Sequence, residues 1–211
     1  AVKRIASMTC AAALLFSLAA CSSTSAASSG STEGAGTSTQ GEGVSPEGQP
    51  PEKPGGQGGF GGSGTVTQGT SANTIDADSS VYTETYESDG DDETALRVDG
   101  AEVTLDDITV KKSGGNSSNT EDGDFYGQNA ALLATNGATV SIRNARILSS
   151  AQNGNGVFSY GEGTTVNISD SVITTTADNS GGLQTTGGGT TNATDLTIET
   201  SGNSSAAIRS D

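Results

Sequence analysis

Two acidic clusters carry the densest chemistry in this chain: YESDGDDE, with Asp89, Asp91 and Asp92, and NTEDGDF, with Asp122 and Asp124. Hard carboxylate oxygens converging from two loops suit calcium, the one cofactor such a set implies. Asp89 lies 7 residues before Leu96 and Asp124 lies 8 before Leu132, so stacked repeats would bring both clusters to one edge. The spacing is not that of an EF-hand, and a solvated acidic loop is the plainer reading of the same residues. Phe125 and Tyr126 sit in the insertion KKSGGNSSNTEDGDFYGQ, where aromatic faces are natural platforms for sugar rings. The same rings would serve equally to pin the insertion onto the scaffold. Arg143 and Arg146 flank Asn144 and complete the set of candidate ligand-binding residues.

What is missing narrows the chemistry further. The 211 residues include no His and no Trp, which removes the commonest general base and every Ser/His or Cys/His nucleophilic pair. Formal net charge is −16, and such a surface repels nucleic acid and anionic headgroups while keeping the chain soluble and monomeric. A flat threonine array for ice binding fails because equivalent outward positions differ: Lys111, Leu148, Thr174 and Glu199 follow one apolar column, and Thr109, Arg146, Val172 and Thr197 precede it.

The elements that must position these residues emerge from an internal repeat. Setting Gly137 on Gly163 aligns Val140 with Val166, Ile142 with Ile168, Asn144 with Asp170 and Ile147 with Ile173, all 26 residues apart. A later copy follows 25 residues on, with Ala193, Asp195 and Ile198, and an earlier one supplies Val103, Leu105, Asp107 and Val110, 37 upstream. SSVYTETY places Val81 and Thr83 where a preceding unit needs them, and a further column, Leu132, Phe158, Leu183 and Ile208, opens each unit. Within each unit apolar residues alternate with polar ones, as in V-x-I, which is strand patterning; no helix is expected after residue 21. A unit of this length cannot bury its own apolar stripe, but stacked units can. The expected fold is all-β, a right-handed parallel β-helix (solenoid) over 65–211, with Asp107, Asn144, Asp170 and Asp195 at a recurrent corner. Asp170 and Asp195 stack there as like charges, to be screened by water or a shared cation.

Ahead of the repeat, AVKRIASMTCAAALLFSLAAC carries Lys3 and Arg4 before a short apolar run, the pattern of a secretory signal over 1–21. LAAC, Leu18 to Cys21, resembles the bacterial lipobox, which implies cleavage before Cys21 and lipidation of its thiol. Cys21 would then be the only cysteine left, so no internal disulfide is expected. Loss of Lys3 and Arg4 takes the net charge to −18, which makes attachment to the membrane a matter of the lipid anchor alone. Residues 22–64, rich in Ser, Gly and Pro, read as a disordered tether with an r.m.s. span of about 35 Å.

Residues from about 93 to 211 resemble the pectin-lyase-like β-helix superfamily. Stretches such as GVFSYGEGTTVNISDSVITTTADNSGG and SGNSSAAIRSD are similar to uncharacterised surface lipoproteins of gut Gram-positive bacteria. The resemblance implies a lipid-anchored protein on the extracellular face of the bacterial membrane, adhesin-like or carbohydrate-binding, with a polysaccharide or host-surface glycan as partner. It also supplies a rival, a pectate-type polysaccharide lyase, in which calcium-binding acids act with a basic residue, its active residues lying around Arg143 and Arg146 or in coils expected beyond Asp211; a structural spacer is the third alternative. The closing AAIRSD matches the opening of another unit and lacks the rest, so the sequence reads as incomplete at its C-terminus, with further coils expected beyond Asp211.

Overall fold

A computed structural model describes residues 65–211; the expected signal, Cys21 and the tether lie outside the described residues. The first coil contains β1 (Thr70–Ser71), β2 (Thr74–Ile75), β3 (Ser79–Tyr82) and β4 (Thr85–Ser88). The second contains β5 (Glu93–Thr94), β6 (Leu96–Asp99), β7 (Glu102–Asp106) and β8 (Thr109–Lys112), and the insertion after it holds α1 (Thr120–Tyr126). The third coil follows with β9 (Leu132–Thr135), β10 (Thr139–Arg143) and β11 (Arg146–Ser149), then the fourth with β12 (Val157–Tyr160), β13 (Thr165–Ser169) and β14 (Val172–Thr175). β15 (Leu183–Thr186), β16 (Thr190–Thr194) and β17 (Thr197–Thr200) make the fifth, and β18 (Ile208–Ser210) opens a sixth.

Equivalent strands pair in parallel with the coil above and below, giving three walls: β2-β6-β9-β12-β15-β18, β3-β7-β10-β13-β16 and β4-β8-β11-β14-β17. The chain is therefore a parallel β-solenoid. The inward columns are those the repeat predicts: Val81, Leu105, Ile142, Ile168 and Ala193 fall in register, as do Val110, Ile147, Ile173 and Ile198. In the middle coils these side chains are buried, and with Leu96, Val98 and Leu132 they form one continuous core. Each buried aliphatic side chain stabilises by about 1.5–3 kcal/mol, an upper figure because the unfolded chain is already partly collapsed.

Left-handed backbone makes the corner between the second and third walls. Thr83, Asp107, Asn144, Asp170 and Asp195 all take φ between 50° and 58°. Asn and Asp tolerate this region because their short polar side chains hydrogen-bond locally. A second corner repeats the device with Asp92, Asn153, Asn179 and Ser204, at φ 52° to 55°.

Two expectations are corrected. The column opening each unit is Leu132, Val157, Leu183 and Ile208; Phe158 pairs instead with Leu133 and faces the outer side of the first wall. A one-residue shift moves a side chain to the opposite face of a strand. Phe158 and Leu133 are nonetheless fully buried, in a second small core with Ala130 and with Tyr160 packed beside it. The insertion is also helical, against the expectation of no helix. Asn119 caps α1 through its side chain, which accepts from the Glu121 N–H, and Gly127 ends it at φ 78°. A Cβ on Gly127 would lie 2.8 Å from Leu133 and Phe158, so the helix end sits directly on the outer apolar pair. Seven residues are too few for a 3.6-residue period to show in sequence. Among the described residues no helix is long and apolar enough to cross a membrane.

Ile147→Ala should lower the free energy of unfolding by about 2–5 kcal/mol. Val172→Ala, at a side chain 37% exposed on the outer face of the next coil, should change it by less than about 0.5 kcal/mol. Urea melts of both variants measure this, and equal losses would contradict the inward column.

Candidate functional site

The acidic clusters are engaged by the protein itself. Lys112 continues an inward row with Ser88, Ser149 and Thr175 and is buried. Its Nζ donates to the Ser88 hydroxyl at 3.2 Å and to the Gly90 carbonyl, and Ser88 Oγ in turn donates to Glu93 Oε2 at 2.6 Å. Burial holds the Lys112 pKa below the usual lysine value, while Glu93, Asp89, Asp91 and Asp92 pull it back up. Beside it, Lys111 Nζ pairs with Glu87 of the same cluster at 2.7 Å, so two lysines of one strand face these acids.

Two further acids of the first cluster secure backbone. Asp91 Oδ1 accepts from the Asn116 N–H at 2.8 Å and Asp92 Oδ1 from the Ser118 N–H at 2.6 Å, each reaching one coil on. Asp122 and Asp124 lie on α1, and Asp124 meets Arg209 at 3.5 Å. Burial raises the Asp124 pKa, an effect that Arg209 opposes. Among the described residues no three His, Cys, Asp or Glu side chains stand together as a metal-holding group.

The aromatic pair divides. The Tyr126 ring meets the Tyr160 ring edge-on at 5.6 Å between centroids, and its backbone carbonyl accepts from Gln68 Nε2 at 3.0 Å. Phe125 remains partly exposed beneath the Arg209 guanidinium, 5.3 Å away, while its carbonyl accepts from Thr186 Oγ1 at 2.6 Å. α1 is thereby tied to the first coil through Gln68 and to the last through Arg209. Both aromatics pin the insertion, and Phe125 is the more exposed of the two.

Arg143 and Arg146 stand on either side of the Asn144 corner, on β10 of the second wall and β11 of the third. Arg143 pairs with Asp106 at 3.0 Å, and Asn144 Nδ2 donates to Asp106 Oδ1 at 2.8 Å. The Asn144 bond, followed by Arg143, holds the Asp106 carboxyl below the usual range. Among the described residues Arg146 makes no ion pair.

Arg143 belongs to a larger feature that the sequence reading did not single out. Between the inward columns of the second wall, Ser80, Thr104, Ser141, Asn167 and Asn192 form one outward row. Tyr82, Asp106, Arg143, Ser169 and Thr194 form the next. An open groove runs over Thr104, Ser141, Arg143, Asn167 and Asn192. Its side chains recur at the coil spacing of about 4.8 Å. Asn192 Nδ2 donates to Asn167 Oδ1 at 2.9 Å, and Tyr82 is 56% exposed at the first coil. The signal was present in the aligned units, since Asn167 and Asn192 are the residues between successive inward positions.

A carboxyl with a lowered native pKa contributes stability that is full above its unfolded value and lost as pH falls through the native one. Denaturation at descending pH should therefore show a shallower acid-side loss for Asp106→Asn than for the parent chain, and an unchanged slope would contradict the assigned bonds. Compared with known proteins, the chain matches no family model, no curated protein and no solved structure.

Proposed function

We propose that this chain is a lipid-anchored bacterial surface protein that binds glycan through the outer face of its second wall, without catalysing a reaction. The observation that carries the reading is the groove itself: hydroxyl and amide side chains repeat at coil spacing beside an exposed tyrosine, on a rigid parallel ladder. Amide and hydroxyl groups offer both donors and acceptors, which is what sugar hydroxyls require. Arg143, already paired with Asp106, orients this surface instead of serving as a free base. The absence of His from the sequence and the separation of Arg143 from Arg146 onto different walls favour binding over lyase chemistry. The resemblance of residues 93 to 211 to pectin-lyase-like β-helices agrees with a polysaccharide partner.

What supports placement at the cell surface is LAAC directly after the apolar run, together with the tether-like composition of 22–64. Cells fed radiolabelled palmitate should label the parent chain and not Cys21→Ala, which should also keep its signal segment uncleaved. Equal labelling of the two, or none in the parent, would contradict lipid anchoring.

A glycan array probed with the full chain, with and without calcium, should show binding to a restricted set of polysaccharides or host-surface glycans. No binding to any glycan would overturn the reading, and rising absorbance from unsaturated products on pectate would replace it with the lyase.

A further inference from the structure

We infer that the groove of the second wall is built for a neutral, extended polysaccharide lying along the solenoid axis, and not for a uronate chain; this rests on the glycan-binding reading above. The first observation is charge. Arg143 is the one cation lining the groove, and Asp106 already neutralises it at 3.0 Å. Asp170 and Asp195, both exposed, stand at the neighbouring corner, and Glu102 lies two residues before Thr104 on the same strand. Carboxylates of a uronate chain would meet these acids within about a Debye length, roughly 8–10 Å. A net charge of −16 adds to the repulsion at longer range.

The second observation is the chemistry and spacing of the rows. Ser141, Asn167 and Asn192 succeed one another in register, one per coil, at about 4.8 Å. That step is close to the length of one pyranose in an extended β-linked chain, so each coil offers one set of amide or hydroxyl groups per sugar. The Asn192–Asn167 bond occupies one donor and one acceptor, leaving the Asn167 amide N–H groups and the Asn192 amide oxygen for sugar hydroxyls. Tyr82 stands in the same wall at the first coil and is 56% exposed. From Tyr82 to Asn192 the wall runs four steps, about 19 Å, enough for about four sugars. An aromatic at one end and amides at the other would fix the register of the chain.

The test is calorimetric titration of the full chain with a β-1,4-linked xylohexaose, a cellohexaose and hexagalacturonate, at low and high salt. The expected result is binding of a neutral hexasaccharide with little dependence on salt, weakened about tenfold by Asn167→Ala with Asn192→Ala, and no binding of hexagalacturonate. Both side chains face outward, Asn167 half-buried and Asn192 exposed, so unchanged thermal melting of the double variant shows that the loss belongs to the groove. Tighter binding of hexagalacturonate, or neutral binding undiminished in the double variant, would overturn the inference and leave the glycan reading standing. Binding of neither class, together with an empty glycan array, would remove both.

Discussion

Parallel backbone pairing between consecutive coils is the constraint on which everything else here depends. It places each residue directly above its equivalent, so a side chain chosen once must suit a column and not a single site. Apolar columns such as Ile142, Ile168 and Ala193 then close a core that no coil could build alone. Each corner must turn the chain by the same amount at the same height, which is why a left-handed Asx residue recurs at Asp107, Asn144, Asp170 and Asp195. The outward rows inherit this regularity without any further requirement, and a periodic surface is what an extended polymer can read.

The same constraint gives the acidic residues a structural use. Asp78, Asp91 and Asp178 each accept from a backbone N–H one coil on, at 2.8 Å, and so join corners that the strand ladders leave open. Buried amides do comparable work under α1: Asn155 Oδ1 accepts from the Gly181 N–H at 2.7 Å, and its Nδ2 donates to the Gly123 carbonyl at 3.1 Å. Lys112 places a positive charge inside the coil against the densest acidic loop. Charge-assisted bonds of this kind are stronger than neutral ones, and here they fasten successive coils where the ladders are interrupted.

How much of this was legible in the sequence depended on whether geometry or local contact decided the matter. The inward columns and the Asx corner were legible because they repeat, and repetition survives noise at any one position. Phe158 was misplaced because Val157 and Phe158 are both large and apolar, and only α1, which covers the outer face, gives the second one a buried site. α1 itself was hidden: Asn119 and Gly127 are caps only when the residues between them are helical, and DGD within the segment argues locally for a loop. The ligand-like acids were legible as residues but not as a site, since their partners, the Asn116 and Ser118 N–H groups and Lys112, are fixed by coil register across 20 residues or more. Asn167 and Asn192 gave no signal as single residues, and became a surface only when the units were stacked.

The fixed step of the solenoid presents Tyr82, Arg143, Asn167 and Asn192 in order along one wall, while α1 braces the adjacent wall from Gln68 to Arg209. Hydrogen–deuterium exchange resolved by strand tests the stacking on which this rests most directly. The account predicts that β10 and β13, paired on both sides, exchange slowest and together, with β3 and β16 faster at either end of the wall. Equally rapid exchange along the whole wall, or slow exchange in β13 with rapid exchange in β10 directly beside it, would contradict a cooperative stack of coils.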